Sequence, residues 1–188
     1  MSLPVLKVIF ASTREGRVGE PVAQWFTDFA IRHGKFDVEP VDLRAVNLPL
    51  LDEPNHPVKR QYMHDHTKAW SKTIAEADAF VFVIPEYNYS MPPALLNALD
   101  YLFHEWQYKP AGMVSYGGVS AGTRSAQMTR VVLATLKMVP IPEAVSIPFF
   151  TKQINNGVFE PGDTQDKPAS AMLDELARWT SALRVLRS

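Results

Sequence analysis

A three-layer α/β/α domain built on a five-stranded parallel sheet is what this sequence predicts, and three observations carry the prediction. Short runs rich in β-branched and aromatic residues recur along the chain, as strands buried on both faces require. Stretches with apolar residues at a 3.6-residue period lie between them. The two kinds alternate throughout in the order βαβαβαβαβα. Parallel strands joined by helices wind into an open sheet, here with strand order 2-1-3-4-5.

The first strand is Val5-Leu-Lys-Val-Ile-Phe10. A helix follows from Val18 to about His33, with Val18, Val22, Trp25, Phe26, Phe29 and Ala30 on one stripe and Pro21 in the tolerant first turn. Phe36-Asp-Val-Glu-Pro-Val41 alternates, as a strand nearer an edge does. Thr67 to Ala77 reads as a helix through Trp70, Ile74 and Ala77, and Ala79-Phe-Val-Phe-Val-Ile84 as the third, central strand. Pro92 to about Trp106 carries Leu95, Leu96, Leu99, Leu102, Phe103 and Trp106 at helical spacing. Ala111-Gly-Met-Val-Ser-Tyr116 is the fourth strand, Ala121–Met138 the next helix and Glu143-Ala-Val-Ser-Ile147 the fifth strand. A final helix starts near Pro168, with Asp166 a candidate cap, and repeats Met172, Leu173, Leu176, Trp179, Leu183 and Leu186. The segments Leu48–Pro57 and Thr151–Lys167 read as irregular surface loops.

The chain has 188 residues, 46% of them apolar, which suits one core and a single domain over residues 1–188. Nineteen basic against twenty acidic residues leave a formal charge of −1, so nothing in the charge balance points to nucleic acid or to an anionic membrane as partner. With no cysteine, disulfides, thiolate nucleophiles, zinc–thiolate sites and iron–sulfur clusters are excluded together. The first residues lack the basic and apolar regions of a secretion signal. The longest apolar runs fall far short of the roughly 20 residues that cross a bilayer. A cytoplasmic protein is the expectation.

In an open parallel sheet ligands bind beyond the carboxyl ends of the strands where the strand order reverses, here between strands 1 and 3. The loop after strand 1 reads Ala11-Ser-Thr-Arg-Glu-Gly-Arg-Val-Gly-Glu20 and runs straight into a helix. Hydroxyls at Ser12 and Thr13, guanidinium groups at Arg14 and Arg17, and helix N–H groups suit a phosphate. A polar turn with two solvated arginines and a capping serine fits the same residues. Neither the Gly-x-Gly-x-x-Gly fingerprint nor a Gly-Lys-Ser/Thr phosphate loop is present. The loop after strand 3, Pro85-Glu-Tyr-Asn-Tyr-Ser-Met-Pro-Pro93, crowds Tyr87, Asn88, Tyr89 and Ser90 at the strand mouth. It suits a planar heteroaromatic ring, or else a proline-stiffened turn whose tyrosines cover the core.

Ser12-Thr13-Arg14 with Arg17, Pro85-Glu-Tyr-Asn-Tyr-Ser90 with Pro92–Leu95, and Ser115-Tyr-Gly-Gly118 with Ser120-Ala-Gly-Thr-Arg124 resemble the NADPH-dependent FMN reductase family. That family comprises flavodoxin-like reductases of quinones, chromate and azo dyes. The resemblance spans roughly residues 5–148, and one departure is Leu96, where many members carry lysine. It implies a flavodoxin-like fold, bound FMN, and NADPH (or NADH) as the hydride donor to a small electron acceptor, in ping-pong fashion. By the same resemblance Ser12, Arg14 and Arg17 with the Val18–Gly19 backbone hold the FMN phosphate. Pro85, Glu86, Tyr87 and Asn88 line the isoalloxazine with Tyr89 and Ser90 nearby, and Ser115, Gly117 and Gly118 approach the pyrimidine end. The flavin carries the chemistry, so no catalytic side chain and no metal is expected. A homodimer or dimer-based tetramer is expected from the resemblance and from the aromatic run Tyr101–Tyr108, read as a partner surface.

Other signals weigh less. Gly118-Val-Ser-Ala-Gly122 matches a nucleophile elbow, but all five histidines precede Ser120, against the chain order of that enzyme class. His64-Asp-His66 lacks a third ligand and reads as a helix start, and Asp42 at the end of strand 2 reads as a turn or cap. Two rival functions remain: a flavodoxin-like electron carrier, which would be strongly acidic, and a nucleotide-processing enzyme on the same fold with Glu86 as nucleophile.

Overall fold

The computed structural model describes residues 2–187. In chain order the elements are β1 (Val5–Phe10), α1 (Glu20–His33), β2 (Asp37–Asp42), α2 (Leu43–Val46), α3 (Asp65–Ala75), β3 (Ala79–Pro85) and α4 (Pro93–Asp100). They continue with β4 (Pro110–Gly117), α5 (Thr123–Thr135), β5 (Val139–Pro148), β6 (Ile154–Asn155), β7 (Val158–Phe159) and α6 (Asp163–Leu183). Five strands form one sheet of order β2-β1-β3-β4-β5, every neighbouring pair parallel, as predicted.

The pleat of β3 divides the core. Phe80, Phe82 and Ile84 face Trp70 and Ile74 of α3, Leu95 and Leu99 of α4 and Leu133 of α5. Val81 and Val83 face the opposite way, with Val22 and Phe26 of α1 and Met172, Leu173 and Leu176 of α6. All seven residues of β3 are buried, which is why the strand reads as an unbroken apolar run.

Three elements differ from the sequence-based expectation. The helix expected to run from Pro92 to Trp106 stops at Asp100, and the chain turns into a 3₁₀ segment at His104–Trp106. Tyr101, Leu102 and Trp106 are fully buried, and Trp106 Nε1 donates to the Leu99 carbonyl at 3.2 Å. Tyr101 and Trp106 are therefore core, and the expectation that they form a partner surface is corrected, while Phe103, His104 and Tyr108 are half-buried. The helical spacing misled because the turn folds the indole back under the end of α4. Next, β5 starts at Val139, four residues before the expected Glu143, despite three prolines. As an edge strand it tolerates them, and Arg130 donates to the Ile141 carbonyl at 2.5 Å beside the register shift. Finally, the Thr151–Lys167 loop contains the β6–β7 hairpin, and α6 begins at Asp163 rather than near Pro168. Its extra turn is supported by Gln165 Oε1, which accepts from the Gly162 N–H at 2.9 Å.

Candidate functional site

The carboxyl ends of β1 and β3 meet at the reversal of strand order, and three loops converge there. Along the first, Ser12 is buried with its hydroxyl 2.8 Å from the Tyr87 hydroxyl. Arg14 is exposed. Arg17 is not: its guanidinium lies 4.3 Å over the Phe10 ring, donates to the Ser12 carbonyl at 2.7 Å, and grips both carboxylate oxygens of Asp42 at 2.7 and 2.5 Å. Asp42 also caps α2 by accepting from the Arg44 N–H at 2.9 Å, which is the cap role read from its position. Burial pushes the Asp42 carboxyl up, but the Arg17 and Arg44 hydrogen bonds outweigh it and hold it below its ordinary range.

Gly19 starts α1 without any side-chain cap; Pro21 has no N–H and the Val22 N–H reaches the Gly19 carbonyl at 3.1 Å, so within the first turn the Glu20 N–H is left to solvent or to a ligand. A Cβ on Gly19 would lie 2.2 Å from the Tyr116 hydroxyl, so only glycine fits against this ring. Tyr116 is 3% exposed, with its hydroxyl pushed above its usual range by burial and then by Tyr87.

In the second loop Tyr87 and Ser90 exchange N–H···O bonds of 3.0 and 2.9 Å across a tight turn. Its central residues Asn88 and Tyr89 have φ of +49° and +69°, the primed geometry usually left to Asn and Gly. Tyr89 holds this left-handed conformation with the Arg124 guanidinium stacked 3.8 Å over its ring. Arg124 pairs with Glu86 through Nε at 2.6 Å, and Ser120 Oγ donates to the other carboxylate oxygen at 3.2 Å. Burial raises the Glu86 carboxyl, yet Arg124 and Ser120 together leave it below its ordinary range. Both oxygens are thus engaged, which ill suits a nucleophile. Ser120 donates to a carboxylate rather than to a histidine, as the weak elbow match implied.

The third loop turns at Gly122, where φ is +74° and a Cβ would lie 2.7 Å from the Tyr116 carbonyl. Ser115 is buried at the end of β4, and Gly118 faces open space.

Two cavities flank this junction. One of about 310 Å³ is bounded by Ser12, Arg14, residues 16–19 with Arg17 among them, Pro85, Tyr116, Gly117, Phe150 and Thr151. A larger one of about 720 Å³ runs past Asn88, Ser90 and Met91 to Pro93, Leu96, Met128 and Val132. Arg14, Glu86 and Tyr87 belong to both. The structure thus gathers most of the residues singled out in the sequence, with Tyr89 held at the rim under Arg124. Sequence reasoning missed Tyr116, Phe150 and Thr151. Tyr116 was legible as a strand residue, but its partner Phe150, 4.8 Å away, lies in a segment with no periodic signal.

His64 and His66 open α3 with their rings stacked 5.1 Å apart, and His66 Nε2 lies 2.9 Å from Asp52 Oδ1. No group of three or more potential metal ligands occurs among the described residues. No helix among them is long and apolar enough to cross a membrane.

Comparison with known proteins bears on the family and the fold. Over 161 residues the chain is 40% identical to an NAD(P)H-dependent FMN reductase of Schizosaccharomyces pombe, covering 84% of this chain and 80% of the relative. It is 33% identical over 126 residues to a 2-hydroxy-1,4-benzoquinone reductase of a Burkholderia species, covering 63% and 68%. The flavoenzyme NAD(P)H:(acceptor) oxidoreductase of Paracoccus denitrificans superposes with a TM-score of 0.74 at 20% identity, over 96% of this chain and 98% of that one, and so shares the fold. The profile of the NADPH-dependent FMN reductase family matches residues 5–152, so the chain belongs to this family of oxidoreductases.

Proposed function

We propose that this protein is an FMN-dependent NAD(P)H oxidoreductase that reduces quinones or similar small acceptors. The observation that carries the proposal is the exposed Arg14 beside the uncapped N-terminus of α1, at the mouth of a cavity that continues under Glu86 and Tyr87. A dianionic phosphate fits beside the positive end of a helix dipole, where the Glu20 N–H is open, and Gly16 leaves open space beside it. Ser12, Arg14 and the Val18–Gly19 backbone would hold the phosphate. Pro85, Glu86, Tyr87 and Asn88 would support the ring, with Ser90 at one edge and Gly117–Gly118 beyond Tyr116 at the other. Bound FMN supplies reversible hydride acceptance, which no side chain of this chain can supply. The protein's share is orientation and exclusion of water. Action in the cytoplasm, where NAD(P)H is kept reduced, belongs to the same proposal. A near-neutral charge and an acceptor-sized outer cavity favour an enzyme over an acidic electron carrier.

Pro85 and Tyr116 back the inner cavity, so NAD(P)H and acceptor must enter in turn from the side of the outer one. Initial-rate plots at several quinone concentrations should therefore be parallel. Intersecting lines with a demonstrable ternary complex would overturn ping-pong turnover.

A homodimer, or a tetramer built from dimers, is part of the proposal, with a different surface from the one first expected. Leu96, Met128 and Val131 are 39%, 48% and 70% exposed on α4 and α5, beside the outer cavity. Such a patch suits burial against a second copy, which would wall one side of that cavity and leave its entrance open. Val131→Asp combined with Met128→Glu should shift sedimentation toward monomer while leaving the circular dichroism spectrum unchanged. A wild-type protein that sediments as a monomer at micromolar concentration would reject the dimer.

A further inference from the structure

The resemblance casts Arg17 as a ligand of the FMN phosphate, yet its guanidinium is already committed inside the protein. Nη1 binds the Ser12 carbonyl and Asp42 Oδ1, and Nη2 binds Asp42 Oδ2. One flat face lies on Phe10. The remaining donor, Nε, is buried without a hydrogen-bond partner, with the Glu20 carboxylate 3.7 Å away. The side chain is 7% exposed. Its charge is neutralised by a bidentate carboxylate, the strongest fork geometry available to arginine.

We infer that Arg17 is a positioning residue, clamped by Asp42 across the gap between β1 and β2, and that it fixes the Ser12–Gly19 loop without using its charge on a phosphate. The geometry explains how. The hydrogen bond to the Ser12 carbonyl pins the start of the loop, and the fork anchors its far end to the N-cap of α2. Arg14, which stands between these anchors and is exposed, is left as the guanidinium that meets a phosphate. The Asp42 hydrogen bonds raise the Arg17 guanidinium further above neutrality, so the clamp stays closed throughout the physiological pH range. The role in cofactor binding rests on the proposed FMN site; the clamp itself does not.

Double-mutant analysis separates a positioning arginine from a phosphate ligand. Apoprotein variants Asp42→Asn, Arg17→Ala and the pair together would be titrated with FMN and with riboflavin, with folding checked by circular dichroism. A clamp predicts that Asp42→Asn and Arg17→Ala each weaken FMN binding about five- to tenfold. It also predicts that the double variant is no worse than the poorer single one, and that Arg17→Lys, which keeps the charge but loses the fork, fails to rescue. A phosphate ligand predicts the reverse. Asp42→Asn would then leave FMN affinity unchanged or improved, because it frees the guanidinium, and Arg17→Lys would recover much of the loss. That result would overturn the inference. Hydrogen exchange provides a readout independent of flavin: amides of Ser12–Gly19 should exchange faster in both single variants, while those of α6 stay unchanged. Unaltered exchange in the loop would also overturn the clamp. Should wild-type protein fail to take up FMN, the cofactor proposal falls, and the exchange experiment still decides the clamp.

Discussion

Trp106→Ala should lower the free energy of unfolding by about 3–5 kcal/mol, the range for emptying a buried indole site. Trp106 is fully buried between Phe80, Trp70 and Phe82, with ring centroids at 5.0, 6.0 and 6.4 Å. The surrounding rings belong to β3 and α3, which cannot collapse into the void without bending the central strand. The Leu99 carbonyl also loses the indole N–H donor but keeps the Leu102 N–H at 3.4 Å, so the emptied cavity dominates the loss. Such a change is a large fraction of the 5–15 kcal/mol or so that keeps a typical domain folded. Urea unfolding followed by circular dichroism should show a lower midpoint at an unchanged slope. A fall in stability below about 1 kcal/mol, with a folded monomer instead, would restore the aromatic run as a partner surface.

That result bears on what a sequence can disclose. The central strands were legible because β1, β3 and β4 are buried on both faces and carry apolar runs, broken by Lys7 in β1 and Ser115 in β4. The stripe Val22, Trp25, Phe26 and Ala30 likewise matches the buried face of α1. Periodicity failed where a helix ended under tertiary control. Leu102 and Trp106 fall at helical spacing, yet α4 ends at Asp100, the backbone turns at Phe103 (φ −135°, ψ −59°), and both side chains still reach the core. Similarly, β6 and β7 have two residues each, too short for an alternation to register.

The candidate site was legible to a different degree for each residue. Tyr87 and Asn88 stood out because unusual residues cluster at a strand mouth, where the fold places ligands, and Glu86 through the family resemblance. Which of two arginines faces outward was not legible: Arg14 and Arg17 are three residues apart in one polar loop. The choice is made by Asp42, a residue 25 positions from Arg17 that the parallel register of β1 and β2 brings alongside Phe10. Arg124 and Glu86, 38 positions apart, are joined in the same non-local way.

The largest functional effect should come from Arg14→Ala. In the proposed site its guanidinium meets a phosphate at the uncapped start of α1, away from the ring that exchanges hydride. A hydrogen bond to a charged group contributes about 1.5–3 kcal/mol, so FMN binding should weaken by about ten- to a hundredfold or somewhat more. Because Arg14 is exposed in the free protein, salt screens part of the attraction, and the loss should shrink as ionic strength rises. Arg14 also lines the outer cavity, so recovery of turnover at saturating FMN would show that it acts on the phosphate and not on the acceptor. Riboflavin, which has no phosphate, should bind wild type and variant almost equally. The contrast with Arg17 sharpens the test: Arg14→Ala should discriminate between the two flavins, whereas loosening the clamp at Asp42 disturbs a loop that also carries Ser12, hydrogen-bonded to Tyr87 beneath the ring. Titration of apoprotein with FMN and riboflavin at two salt concentrations measures all of this. Equal FMN affinity in variant and wild type would make Arg14 a solvated turn residue, and the loop after β1 would lose its assignment as the phosphate cradle.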